Sequence, residues 1–329
     1  MSVPTWVWAL TIAAFLTVVA LDLVLIVRNP REPSMRECLA WVGCYVALAV
    51  AFGLVLLAVA GADYSGEFFA GWITEYSLSM DNLFVFLLIM SKFAVPRQYR
   101  QTVLLIGILV ALVLRGVFIA IGAEAIARFD WTFYLFGAFL LYTAWKVLRE
   151  GDSEEEEFSE NAVLRTVRRV VPSTDQYHGV KLITRVGARR VVTPMLIVMV
   201  AVGTTDLLFA VDSIPAIFGL TQQPFIVFAA NAFALMGLRQ LFFLIGGLLD
   251  RLVYLSKGLG VILAFIGVKL ILEALHHHGV SWAPEVPIRV SLGVIVITLT
   301  VTTVASVITS RRRTPEPVPS PEAQPAASG

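Results

Sequence analysis

Charge is scarce in this 329-residue chain. Asp, Glu, Lys and Arg make up 15% of it, against 58% hydrophobic residues and a mean hydropathy of +0.81. Soluble domains carry about 25% charged residues, so this balance excludes an ordinary water-soluble globule and leaves a polytopic membrane protein. Cysteine is nearly absent. Cys38 and Cys44 stand six positions apart, a spacing that suggests neither a bridge nor a Cys-x-x-Cys site, and they are read as packed thiols. The net charge is +1 with no basic patch, which excludes a nucleic-acid partner. A GxxxxGK(S/T) loop and a sizeable soluble domain are both missing, so nothing binds ATP and no enzyme activity is expected.

What is present is oily sequence in pieces of spanning length. Apolar runs cover about 4–27, 38–62, 68–91, 101–123, 131–149, 193–218, 224–248, 255–275 and 286–309, each near the ~20 residues that cross ~30 Å of hydrocarbon. The sequence thus predicts an all-α fold of about nine transmembrane helices. The first run lacks a basic start and a small-x-small cleavage site, so it reads as a span rather than a signal, with Trp6 and Trp8 as interfacial anchors. Lys and Arg concentrate after every odd-numbered run: Arg28, Arg31 and Arg36; Lys92, Arg97 and Arg100; Arg165 to Arg190; Arg251 and Lys257; Arg311 to Arg313. The positive-inside rule then predicts an outside N-terminus and a cytoplasmic C-terminus. The connection 150–192, with acidic Glu154 to Glu157 and a basic stretch from Arg165, reads as a hydrated loop and a possible protein-docking surface. The tail 311–329 reads as disordered.

Into this oily background are set two copies of one acidic pattern. Glu75-Tyr76-Ser77-Leu78-Ser79-Met80-Asp81-Asn82 is echoed 131 positions on by Asp206-Leu207-Leu208-Phe209-Ala210-Val211-Asp212-Ser213. A carboxylate at the centre of a spanning helix costs ~2.5–3.5 kcal/mol on the insertion scale. Four unpaired ones would cost about 10–14 kcal/mol, so such residues face a bundle interior and mark an ion or proton path. The echo continues: Gly107, Arg115 and Gly122 match Asn231, Arg239 and Gly246 at an offset of 124, and Lys146 matches Lys269 at 123. The chain therefore divides into two N-terminal helices (1–67), a three-helix unit (68–149), the charged connection (150–192), a second three-helix unit (193–277), a final helix (278–310) and the tail. Three helices per unit make the repeat inverted, an arrangement that puts transporter substrates near the midplane at the repeat interface.

Glu75, Asp81, Asn82, Asp206, Asp212 and Ser213 are the candidate metal ligands. At 3.6 residues per turn Glu75 stacks over Asn82 and Asp206 over Ser213, with Asp81 and Asp212 turned about 100° away. Pro215 is expected to break its helix and free the Val211 carbonyl beside Asp212. The donors are hard oxygens, suited to Mn²⁺, Ca²⁺ or Mg²⁺. Arg115, Arg239, Lys146 and Lys269 are read as ion-pair partners of the acids or as snorkelling cations, with release of an ion pair on metal arrival as the sharper idea. Asn231 is a further ligand or a helix-packing hydrogen bond. His276-His277-His278 reads as an interfacial cluster without an essential role.

The stretches Ser79-Met-Asp-Asn-Leu-Phe-Val-Phe, Asp206 to Phe218 and Asn231 to Arg239 resemble the TerC family of integral membrane proteins, named for tellurium resistance. The resemblance covers about 68–309. It implies a multi-pass protein of the bacterial inner membrane in a family that includes manganese exporters. It places the family's acidic positions on Glu75, Asp81, Asn82, Asp206, Asp212 and Ser213. Many relatives carry a Glu three residues before Asp206, where this chain has Gly203. The leading expectation is a secondary transporter exporting a divalent cation, Mn²⁺ first and Ca²⁺ second, with no permanently bound cofactor. The competing class is a non-transporting scaffold of a tellurium or metal stress complex. An intramembrane aspartyl protease fits poorly, since no GxGD element occurs.

Overall fold

The computed structural model describes residues 3–28, 34–129, 131–150, 177, 179, 181–186, 189–245, 254–278, 280 and 282–312. In chain order these form α1 (Thr5–Arg28), α2 (Met35–Val59), α3 (Ala62–Lys92), α4 (Arg97–Arg128), α5 (Thr132–Glu150), strands β1 (Ile183–Val186) and β2 (Arg189–Val192), then α6 (Pro194–Phe218), α7 (Pro224–Leu235), α8 (Leu238–Ile245), α9 (Leu255–His277) and α10 (Ile288–Arg312). Among the described residues seven spans are long and apolar enough to cross a membrane, α7 and α8 counting together as one. Counting α1 and α5 as well gives nine, and each expected run coincides with helix among the described residues, the run 224–248 with two.

Local sequence explains several boundaries. Ser34 caps α2: its hydroxyl accepts from the Glu37 N–H, and the Glu37 carboxylate accepts from the Ser34 N–H, a reciprocal box that ties off two orphan donors. α6 and α7 both open on proline, where a missing N–H costs no helical bond.

Three expectations need correction. The run 224–248 is not one helix, because Met236 is extended (ψ 130°) and Gly237 sits at φ +84°, a left-handed backbone that glycine adopts without a Cβ clash. Pro215 does not break α6, which runs on to Phe218. The proline lies in the last turn, and its carbonyl accepts from the Gly219 N–H at 2.9 Å. Part of the charged connection is ordered: Ile183↔Val192 and Val186↔Arg189 pair in an antiparallel hairpin whose β-branched residues suit a strand. The acidic run Glu154 to Glu157 and the tail beyond Arg312 lie outside the described residues.

The bundle exposes apolar side chains and buries a polar group inside an otherwise apolar core. Large hydrophobic side chains such as Leu54, Val113, Ile121 and Ile297 are exposed, while Glu75, Arg115, Asp206 and Asn231 are buried. That inversion suits a hydrocarbon solvent. Trp8 is not simply an interfacial anchor, since its ring meets Phe225 of α7 edge-on at 5.1 Å. The most extensive helix contact is α5 against α9, followed by α3 against α7 and α4 against α6. At the α5–α9 crossing a Cβ on Gly137 would lie 2.9 Å from the Gly267 carbonyl, and one on Gly267 would lie 3.0 Å from the Gly137 carbonyl. Backbone touches backbone there, as only glycine permits.

Candidate cation site

Four helices deliver the polar centre. Glu75 comes from α3, Arg115 from α4, Asp206 from α6 and Asn231 from α7, and each is at most 3% exposed. The Arg115 guanidinium is the hub. Its Nη1 pairs with Glu75 Oε1 and donates to Asn231 Oδ1 at 3.1 Å, while Nη2 lies 3.6 Å from Asp206 Oδ1. Ser79, one turn beyond Glu75, donates its hydroxyl to Glu75 Oε1 at 3.2 Å. Asn231 is oriented from its other end, Nδ2 donating to the Val227 carbonyl at 2.9 Å.

The set is electrically and chemically incomplete. Two carboxylates face one guanidinium, so the formal charge is −1. Glu75 Oε2 and Asp206 Oδ2 are buried without a hydrogen-bond partner, as are the hydroxyls of Thr74, Thr205 and Ser213. A buried carboxylate oxygen without a donor loses its hydration and gains nothing back, which costs more than ~1–3 kcal/mol for a charged group. Such oxygens are satisfied by a cation or a proton. With Asn231 Oδ1 and the Ser79 hydroxyl they make a hard oxygen set of the kind that Mn²⁺, Ca²⁺ and Mg²⁺ accept.

The other expected residues are dispersed. Asp212 points to α5, where Thr143 donates to its Oδ1 at 3.2 Å. Six residues after Asp206 is about 120° around the helix, which turns the second acid of α6 away from the first. Ser213 and Asn82 are buried, Lys146 is exposed on α5, and Arg239 is buried on α8. The side chain of Asp81 lies outside the described residues. Among the described residues no three His, Cys, Asp or Glu side chains gather as a metal cluster. Of the histidine run, His276 pairs with Glu285 at 3.1 Å, and His278 Nδ1 lies 2.8 Å from the Ala274 carbonyl, so these two face different partners. A Cβ on Gly203 would meet Val110 of α4 at 3.5 Å, ordinary contact, so this stretch of α6 passes α4 with no acid between them.

Ser79 and Thr143 were not among the candidate site residues of the sequence. Ser79 was visible as the residue one turn from Glu75, whereas nothing in the sequence pairs Thr143 with Asp212. A polar cavity of about 860 Å³ was also unforeseen. It opens where the start of α3, the end of α6, the end of α9 and the start of α10 meet, and Glu67, Thr221, Lys269 and Glu273 are among its lining.

The chain matches the integral membrane protein TerC family over residues 60–314. It belongs to that family. It is 46% identical over 318 residues to an uncharacterized membrane protein of Mycobacterium tuberculosis, covering 93% of this chain and 80% of the relative. It is 38% identical over 269 residues to the chloroplastic thylakoid membrane protein TERC of Arabidopsis thaliana, covering 82% and 68%. It is 36% identical over 294 residues, 87% and 88% of the two chains, to a Salmonella typhi protein whose name describes a candidate membrane-bound redox modulator, Alx. No solved structure matches.

Proposed function

We infer that this TerC-family protein is a secondary transporter that exports a divalent cation, Mn²⁺ first and Ca²⁺ second, through the Glu75–Asp206 site. One observation carries the reading: carboxylates at equivalent positions of two sequence-related motifs, on different helices, meet at one buried arginine, and each keeps an oxygen without a partner. Arg115 occupies the position between the acids that a cation would compete for. An arriving cation takes Glu75, Asp206 and Asn231, and the guanidinium must withdraw or share them. When the ion leaves, the guanidinium pairs with the acids again and one proton can neutralise the remaining negative charge, which couples release to a proton gradient. The reading treats the chain as a carrier without enzyme activity or a resident cofactor.

Packing supports alternating access between inverted repeats. Exchanging the triplet α3–α4–α5 with α6–α7/α8–α9 turns the α3–α7 contact into α6–α4 and returns α5–α9 to itself, so the three largest contacts map onto one another. The charge of the connections favours a bacterial inner membrane with the N-terminus outside and the 150–192 connection cytoplasmic, available to a protein partner.

The test is Mn²⁺ flux into liposomes with a trapped Mn²⁺-responsive dye, comparing the natural chain with Glu75→Gln/Asp206→Asn. Saturable flux lost in the variant supports a carrier. Absence of flux under imposed proton and electrical gradients favours the non-transporting scaffold instead.

A further inference from the structure

The 860 Å³ cavity holds charge that the central site does not use. Lys269 of α9 is only 8% exposed, yet its ammonium makes no hydrogen bond or ion pair and opens onto the cavity. The carboxylates whose fields reach it are Glu273 and Glu67. Both are held by neutral donors rather than by the ammonium: Gln222 Nε2 donates to Glu273 Oε1 at 2.7 Å, and the Thr221 hydroxyl donates to Glu67 Oε2 at 2.5 Å. Asp63 and Glu285 add two more carboxylates to the lining, against Arg289. A concave, water-accessible space with excess negative charge concentrates cations.

Position connects this cavity to the central site. Glu67 and Glu75 lie on α3 eight residues apart, about 12 Å along the helix. Between them α3 packs closely on α6 and α7, where a Cβ on Gly71 would lie 3.3 Å from Ala230 and 3.4 Å from Ile217, and Phe218 next to Ile217 already lines the cavity. On the other side of Glu75 lies the thick apolar cluster of Leu83, Ile89, Met90, Leu104, Met195 and Val198.

We propose that the cavity is a second station for a divalent cation, with Glu67 and Glu273 as ligands and the Lys269 ammonium as a tethered competitor that keeps the station weak. An ion passing the Ile217–Phe218 layer finds carboxylates to receive it and a fixed positive charge that hastens its departure. The proposal shares its cation class with the transport reading, but binding alone tests it.

The experiment is a Mn²⁺ titration of purified full-length protein, followed by the electron paramagnetic resonance signal of free Mn²⁺. Lys269→Met should tighten one Mn²⁺ site by about tenfold or more, the order expected from removing one nearby positive charge. Adding Glu67→Gln/Glu273→Gln should abolish the gain. Unchanged or weaker Mn²⁺ binding in a folded Lys269→Met protein overturns the proposal. Where Lys269→Met does not fold, the natural chain decides: a millimolar Mn²⁺ site lost in Glu67→Gln supports the station, and its absence or persistence in that variant overturns it. Glu75→Gln/Asp206→Asn separates the two readings, because it should remove the central site and leave the gain from Lys269→Met intact.

Discussion

Two basic residues in this protein sit among carboxylates, and they are held in opposite ways. Arg115 is sealed, with contacts to Glu75, Asp206 and Asn231 and 1% exposure. Lys269 is nearly as buried, yet its ammonium reaches a cavity and touches neither Glu67 nor Glu273. The difference is hydration. Without water a charge must find its counter-charge directly, whereas beside water it can be satisfied without one. It is also chemical. A planar guanidinium can serve three helices at once, while an ammonium is a compact, strongly hydrated point charge.

The sharpest way to break this contrast is Arg115→Met. It leaves two buried carboxylates unpaired and should destabilise the protein by ~3–5 kcal/mol, read as a fall in melting temperature in detergent. Adding Glu75→Gln and Asp206→Asn should recover most of the loss. A stable Arg115→Met protein would mean that the acids are not charged in the empty site. Next comes Glu75→Gln alone, which should weaken Mn²⁺ binding about 10- to 100-fold by removing one charged ligand. Gly137→Leu tests the framework around both regions. It should cost ~1–3 kcal/mol or more by forcing α5 from α9, and a neutral result would contradict the backbone contact. Gly237→Ala should cost ~1–2 kcal/mol, since only a Cβ is added at positive φ. Smallest of all is Lys269→Met. With no hydrogen bond or ion pair lost, its melting temperature should match the natural chain's, corresponding to within ~0.5 kcal/mol.

Much of the centre was legible because buried charge in an oily helix is so costly that it must have a reason. Glu75, Asp206, Arg115 and Asn231 were all marked by residue type against background, and the matched spacing linked Glu75 to Asp206 across 131 positions. What spacing did not give was direction around the helix. Asp206 and Asp212 look like one motif in sequence but face α4 and α5 respectively. The break at Met236–Gly237 was missed because hydropathy continues through it, and only backbone sign distinguishes a glycine that packs from one that turns. Pro215 misled in the other direction, since a proline in the last turn has little helix left to interrupt. The second cavity was invisible because Glu67, Thr221, Lys269 and Glu273 come from three separate stretches of chain and share no pattern.

The crossing of Gly137 and Gly267 sets a scale for the rest of the protein. Among the described glycines, the others that meet a neighbour face side chains, whose lengths can be exchanged to tune a gap, but here the two main chains abut and the separation has no adjustable part. α5 and α9 therefore act as a datum from which the positions of their neighbours are measured. An ångström added at that crossing would be carried outward through Leu140, Ile266 and Leu270 to every surface they support.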